Sequence, residues 1–332
     1  MKINGKGIWL LAVILIGLWV ISPFAWSGEA KAAEKIRLSF GAASTGTWIY
    51  MFCALAAGIW QKHIPELDIT VLATAGTSAN FLPLAKGELD IAGASSTGDY
   101  YASRGMFFTK EKISDFCGLI PATKAFCQAF TYADLPIKSW MDLDGKKIAI
   151  GARASPTTIT SEEISQKGLG LKPKFIFSTP QEAVDMMKDR RVDGMIYNVG
   201  APWSGLIDIA TVHKVRILPM TPEEQKKANG ACPYYLPDTL PAKTYAFQEQ
   251  NVPTVATYQT VNVRPGLPDE LAYKLCRVIW EHWDEVVKSS PASKWVKPAD
   301  AMAMIAPIHP GAAKYYREIG VQLPDHRIWK KN

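Results

Sequence analysis

From Ile36 onward, short apolar runs alternate with longer stretches in which apolar residues recur every three to four positions. Residues 36–40 (IRLSF) predict a strand. Residues 47–63 predict a helix that is apolar nearly all round (WIYMFCALAAGIW) and therefore buried on most sides, and Pro65 follows its end. Residues 68–73 (DITVLA) predict a second strand, 77–86 a helix stopped at Gly87, and 89–94 (LDIAGA) a third strand. This β-α-β-α-β order implies right-handed crossovers and a parallel sheet.

The rhythm then restarts. Residues 146–151 (KKIAIG), 174–177 and 194–197 (GMIY) predict strands, and 157–167 and 180–189 predict helices between them. The preceding LPIKSWMDLDGKK is polar and turn-rich, with Asp144-Gly145 as its turn, and marks entry into a second domain. Residues 251–263 (NVPTVATYQTVNV) form a β-rich run. Residues 268–288 predict the clearest helix, with Leu271, Leu275, Val278, Ile279 and Val286 on one face and Asp269 and Glu270 at its N-terminal end. The economical architecture is α/β: a two-lobed, type II-like binding-protein fold. Each lobe would be a doubly wound, mainly parallel sheet, joined by a hinge of crossing strands. Lobe one is expected at 33–130 and 262–332, and lobe two at 131–261. Ligands in such folds sit outside the carboxyl ends of the parallel strands.

The N-terminus is of a different kind. Lys2 and Lys6 precede an apolar run at 8–21, Ser22 and Pro23 end it, and Ala30-Lys31-Ala32 offers a small-residue cut site. This is the order of a secretory signal peptide, residues 1–32, with a cut one residue later as the near alternative. The other reading is an uncleaved anchor, but the run is shorter than the ~20 residues a spanning helix needs. A periplasmic protein is expected. Removing 1–32 lowers the formal charge from +6 to about +4, a mild balance without long basic runs that argues against nucleic acid as a partner. The five cysteines, Cys53, Cys117, Cys127, Cys232 and Cys276, show no C-x-x-C spacing. Buried inert thiols are expected, with Cys117–Cys127 as the closest pair for a disulfide.

The candidate chemistry lies in four strand-to-helix loops rich in hydroxyls and small residues: 41–47 (GAASTGT), 74–80 (TAGTSAN), 95–99 (SSTGD) and 151–158 (GARASPTT). Such loops present backbone N–H groups at helix starts and attract anions. They are also what ordinary helix caps look like. Gly41 and Gly46 have the spacing of a phosphate loop, but Thr47 and Trp48 stand where its lysine and its serine or threonine belong, so a nucleotide is not expected. A carboxylate needs only a few donors, ideally with one arginine, and Arg153 is the candidate. Trp48 either walls a ligand pocket or packs in the core; Trp60, Trp280 and Trp283 are expected to pack between helices. His63, His213, His282, His309 and His326 are scattered outside the loops, and no metal or nucleophile motif is present. Neither catalysis, a cofactor nor a metal is expected. Asp99 is the lone loop acid, more consistent with a cap than with acid–base work.

With the loops in hand, the chain resembles the TAXI solute receptors, the extracytoplasmic binding proteins of one class of TRAP transporters. FGAASTGTWIY resembles that family's first loop, ATAGTSANF its A-T-G-G-S-x-x-N-L stretch and LAKGELDIAGASS its L-x-x-G-E-x-D-x-A segment. DLDGKKIAIGARASPTT resembles D-L-x-G-K-x-V-A-V-G-x-x-G-S-G-T, YNVGAP a G-A-P turn, and LPAKTYAFQEQNVPTVA and PIHPGAAKYYREIG late motifs, so the match runs nearly end to end. The resemblance implies a receptor that closes over a small organic anion and delivers it to TRAP membrane permease subunits. Amino acids and dicarboxylates such as glutamate are the family's usual ligands, and a monomer is expected. It carries over Thr45, Gly46, Gly76, Thr77, Asn80, Ser96, Ser155, Thr157 and the Gly200-Ala201-Pro202 turn as ligand-site positions. Neighbouring Ser44, Thr47, Trp48, Arg153 and Asn198 complete the candidate set. Ala43, Ser44, Ala75, Ala154 and Pro156 replace glycines of the family pattern, which points to a ligand other than glutamate. Two other readings stay open: a lyase-like enzyme on this fold, and a receptor for a sensor kinase.

Overall fold

The computed structural model describes residues 35–330, apart from 44, 46, 107, 108, 110 and 154; the expected signal segment 1–32 lies outside the described residues. In chain order, the first half holds β1 (Ile36–Gly41), α1 (Trp48–His63), β2 (Leu67–Leu72), α2 (Phe81–Lys86), β3 (Ile91–Ser95), α3 (Ser96–Ala102) and the long β4 (Cys117–Tyr132). There follow β5 (Lys147–Ile150), α4 (Pro156–Glu162), β6 (Lys174–Phe177), α5 (Pro180–Lys188), β7 (Gly194–Gly200), α6 (Ser204–Val212), β8 (Val215–Ile217), α7 (Pro222–Ala231) and β9 (Leu236–Leu240). The chain ends through β10 (Val252–Val263), α8 (Asp269–Glu281), α9 (Trp283–Ser289) and α10 (Pro310–Glu318).

Both predicted β-α-β-α-β units are present. β1 pairs in parallel with β2 and β3, and β5 in parallel with β6 and β7. What joins them is a pair of long antiparallel strands, β4 and β10, which run through both groups. The ten described strands therefore form one hydrogen-bonded sheet, in the order β2-β1-β3-β10-β4-β7-β5-β6, with β8 and β9 attached to β4 and β10. β4 had no strand signal in the sequence because 15 of its 16 residues are buried, so neither face alternates with solvent.

Register decides where the strands end. Ser95, the last residue of β3, lies opposite Gln259 of β10, and Gln259 lies opposite Thr123 of β4. Gly200, the last residue of β7, lies opposite Ala125 of the same strand. β3 and β7 run in opposite directions, since each is an odd number of antiparallel steps from the other through β10 and β4. The carboxyl ends of the two parallel groups thus meet at the middle of the crossing pair, two residues apart on β4.

The apolar cores fall on either side of that midpoint. One packs α1, α8 and α10 against β1, β2 and the first part of β4; Trp60 is fully buried there and donates Nε1–H to the Leu275 carbonyl at 2.8 Å. Trp280 likewise donates to Tyr316 Oη at 3.2 Å and lies 4.4 Å, ring to ring, from Trp283, as expected of helix-packing tryptophans. Two further cores, centred on Tyr197 and on Trp140, hold α5, α6, α7 and the far half of β4.

Three sequence expectations change. The helix expected at 268–288 is broken at His282, whose φ of −113° and ψ of 26° end α8 and begin α9; the bend leaves Val286 in the core shared with α1. The stretch 95–99, read as a loop, is the first turn of α3, with Ser95 as its cap. The helix expected at 157–167 begins as α4 but widens to a π-helical turn at Glu163–Gly168. All five cysteines are buried and free. Cys117 and Cys127 sit ten residues apart along β4, roughly 33 Å at strand rise, so no disulfide can join them. Among the described residues no helix is long and apolar enough to cross a membrane.

Candidate functional site

The convergence of strand ends brings together the loops that follow β1, β2 and β3 on one side and those that follow β5, β6 and β7 on the other. On the first side, Asn80 is the anchor. It is 1% exposed, and its amide donates to the carbonyls of Gly41 (3.2 Å), Ala42 (2.8 Å) and Gly93 (3.1 Å). The side chain expected to touch ligand instead ties the end of β1 to the middle of β3 beneath the loops. A Cβ at Gly41 would lie 2.6 Å from Leu89 Cδ1 and 3.0 Å from Asn80 Oδ1, so a larger residue there would press on the anchor. Thr74 Oγ donates to the Ala42 carbonyl at 3.1 Å, tying the second loop to the first. Gly76 opens the turn into Thr77–Asn80 at φ 134°, a conformation that favours glycine. Thr77 is half-buried and Thr45 exposed on these loops. Ser44 and Gly46 lie outside the described residues.

We expect Asn80→Ala to cost about 2–3 kcal/mol, because three buried carbonyls lose their donor. Asn80→Asp should cost more, since a carboxylate would face those same oxygens with no proton to offer. Urea melts of the two variants check this; an Asn80→Ala protein as stable as the wild type would refute the anchor role.

Thr47 caps α1, its hydroxyl accepting from the Tyr50 N–H. Trp48 stacks on Phe52 at 5.3 Å and donates Nε1–H to Ser290 Oγ at 3.1 Å. Gly200 reaches the same neighbourhood: a Cβ there would meet Ala292 at 2.9 Å, and Trp295 Nε1 donates to the Ala201 carbonyl at 3.0 Å. The short helical turn Pro291–Trp295 with its cap Ser290 therefore touches both a first-side and a second-side candidate.

On the second side, Ser155 caps α4 and accepts from the Thr158 N–H at 3.2 Å. Thr158, not singled out in the sequence, is buried with its hydroxyl 2.7 Å from the carbonyls of Gly151 and Ala152. Thr157 beside it is half-buried. Arg153 is exposed, its guanidinium 4.0 Å over the Phe177 ring at the end of β6. Stacking holds the plane of an arginine while leaving its N–H edge directed along that plane. Ala154 lies outside the described residues.

The midpoint of β4 and β10 adds Thr123, Lys124 and Thr257, which sequence reasoning missed, beside the expected Asn198 and Ser96. Asn198 Nδ2 donates to Thr257 Oγ1 at 2.9 Å, while Asn198 Oδ1 and Thr123 Oγ1 are buried without hydrogen-bond partners. Lys124 is paired with Asp238 at 2.8 Å. Ser96 is 1% exposed with its Oγ unpartnered, at the start of α3. Hydroxyl and amide positions inside an otherwise apolar strand run (CGLIPATKAFCQAFTY) were the available signal.

Asp99 is not a cap. It is fully buried; Oδ1 accepts from Asn262 Nδ2 at 2.6 Å, and the Ala306 backbone also bonds it. Burial pushes its carboxyl up to about 7 despite both bonds. A second buried acid, Glu163 in the π-helical turn, takes hydroxyl donors from Tyr101 (2.8 Å), Tyr234 (2.5 Å) and Tyr235 (2.7 Å), and Lys167 at 3.0 Å. Tyr101 comes from α3 and Glu163 from the π-helical turn that continues α4, so this cluster joins the two sides. Surface grooves of about 550 and 730 Å³ flank α2 and are lined by none of the loop candidates.

A profile of the NMT1-like family matches residues 40–320. The chain belongs to the NMT1-like family. This NMT1-like protein also shares its fold with solved two-lobed binding proteins. A TctC solute binding protein from Polaromonas superposes with a TM-score of 0.57 at 13% identity, over 87% of this chain and 99% of that one. A putative sulfonate ABC transporter periplasmic sulfonate-binding protein, SsuA, from Methylobacillus flagellatus KT gives 0.50 at 14% identity, over 78% and 73%. At these identities the likeness concerns the fold. The fold is thus the two-lobed α/β architecture expected from the alternating pattern, and those neighbours are binding proteins.

Proposed function

We propose that this NMT1-like protein is the extracytoplasmic solute-binding subunit of a TRAP-type secondary transporter of the TAXI class. It captures a small organic anion, a carboxylate or amino acid, between its lobes and delivers it to the membrane permease. The observation that carries this reading is the register: the carboxyl ends of two parallel strand groups abut one midpoint, bounded by Ser95, level with Thr123 through Gln259, and by Gly200 opposite Ala125. The ordered TAXI-like motifs and the solute-binding proteins of the same fold support it. Lobe one comprises 33–130 and 262–332, lobe two 131–261, and β4 and β10 form the pivot of closure. The segment 1–32 is a cleaved signal that places the mature chain in the periplasm.

In this reading Thr45, Gly46 and Thr77 hold one end of the ligand from lobe one. Ser155, Thr157 and Arg153 grip its carboxylate from lobe two, with Ser96 and Asn198 beside the pivot. Asn80 holds the first loops in place from below. Closure follows from the contacts that the ligand gains only when both loop sets reach it. Asp99, committed to Asn262 and fully buried, supports a receptor rather than an acid–base enzyme.

A thermal-shift screen of carboxylates, amino acids and sulfonates against the purified protein tests the reading. At least one small anion should raise the melting temperature, and none doing so would defeat it. Arg153→Ala should weaken that ligand about tenfold or more, as loss of a bidentate charged contact does, without shifting the ligand-free melt, because the side chain is exposed.

A further inference from the structure

We propose that His63, His282 and Glu285 form a binding site for a divalent transition-metal ion, zinc in the first instance, where the end of α1 meets the α8–α9 break. The three come from far apart in the chain. His63 is the last residue of α1, His282 is the break itself, and Glu285 lies in the first turn of α9. Glu285 Oε1 is 3.5 Å from His63 Nε2 and 3.3 Å from His282 Nδ1. One ligand atom from each of the three residues lies within 4.8 Å of the others. Ligand atoms about 2.0–2.1 Å from a tetrahedral ion are roughly 3.4 Å apart, so the two measured separations match edges of that polyhedron.

Three further features point to a cation. His63 Nε2 is buried, and its nearest polar partner is Glu285 Oε1 at 3.5 Å, too long for a full hydrogen bond. α1 and α8 both end at this point and α9 begins there; the positive end of α9 offsets the negative end of α8, which leaves the negative end of α1 as the net helix contribution. The rings of His63 and His282 are stacked, 3.6 Å between centroids at 17°, which sets both basic nitrogens on the Glu285 side. In-plane lone pairs of stacked rings run side by side, so coordination requires one ring to turn about its Cβ–Cγ bond. The side chains are 25% and 31% exposed, which leaves the solvent side open for that turn. Lys62 now bonds both Glu285 oxygens at 3.0–3.1 Å; it is 59% exposed and passes to water when the ion takes its place.

Two imidazoles and one carboxylate, with a fourth position for water, suit zinc and its borderline neighbours, with copper(II) the tighter by intrinsic affinity. Calcium and magnesium want oxygen-rich sets and are poorly served here. The ion would clamp α1 to the α8–α9 junction, and α1 begins at the first candidate ligand loop. This inference is independent of the transport reading.

Zinc titrated into the purified, EDTA-stripped protein, followed by calorimetry, tests it. We expect one ion per chain and no heat from magnesium under the same conditions. His63→Ala and His282→Ala should each weaken zinc about tenfold or more, and the double variant should abolish stoichiometric uptake. Both residues are partly exposed, so unchanged melts in EDTA will certify folding; cobalt(II) absorption gives a second readout. A wild type that takes up no stoichiometric zinc, or a folded double variant that takes it up as well as the wild type, overturns the proposal.

Discussion

Glu163→Ala should lower the unfolding free energy by about 3–5 kcal/mol. The carboxylate is 4% exposed and receives three tyrosine hydroxyls and one ammonium. Removing it leaves the hydroxyls of Tyr234 and Tyr235, themselves at most 1% exposed, facing a cavity. Glu163→Gln keeps the shape and one acceptor and should cost less. The pH dependence distinguishes a charged hub from mere packing. Burial alone would raise this carboxyl, but the bonds from Tyr234, Tyr235, Lys167 and Tyr101 outweigh it and hold it below its ordinary 4.5. A depressed carboxyl contributes its full stability above the unfolded value and loses it as pH falls through the folded one. The gap between wild type and Glu163→Gln should therefore be widest at neutral pH and shrink below about 4.5. A gap that does not change with pH would sink the charged-hub account. Amide exchange should also quicken in both α3 and the π-helical turn, since the cluster joins them.

Asp99→Asn is expected to act in the opposite sense. Burial lifts the Asp99 carboxyl from 3.8 to about 7, so the folded protein holds a proton that the unfolded chain releases. Its contribution to stability is therefore fully present below about 3.8 and is lost as pH rises through about 7. Asparagine is neutral at every pH and accepts from Asn262 in the same place. The variant should match the wild type near pH 4 and exceed it at pH 8 by up to about 4 kcal/mol. Urea melts at the two pH values decide it. If Asp99→Asn is destabilised equally at both, the buried carboxyl is ionised and stabilising, and the inferred proton is absent.

These two acids show where the sequence was silent. Both fold into short helical turns with unremarkable local composition, SSTGDYYA and SEEISQKG. Nothing local distinguishes Glu163 from its neighbour Glu162, yet one is buried among tyrosines and the other half-exposed. The groups that bond each acid are distant in the chain, Tyr234 and Tyr235 for one and Asn262 for the other.

Asn80 illustrates a subtler gap. Its place in a small-residue loop marked it as important, and it is, but as a buried donor to three carbonyls rather than as a surface group. Sequence identifies a polar residue that backbone ends need; only the packed structure says whether those ends belong to the protein or to a ligand. Trp48 and Gly200 were likewise singled out separately, and only the fold lays both against the segment 290–295.

By itself the sequence determined the β-α-β order of both parallel groups, the hydroxyl-rich loops at their carboxyl ends and the buried thiols. Those are local quantities: periodicity, caps, and the small residues that helix starts require. The tertiary structure alone decided that one pair of crossing strands joins the groups, with their ends two residues apart on β4. It also decided which acids are buried and where two distant histidines meet a glutamate. Strand register and burial are set by contacts between residues far apart in the chain. A strand buried on both faces, as β4 is, leaves no alternation from which to read them.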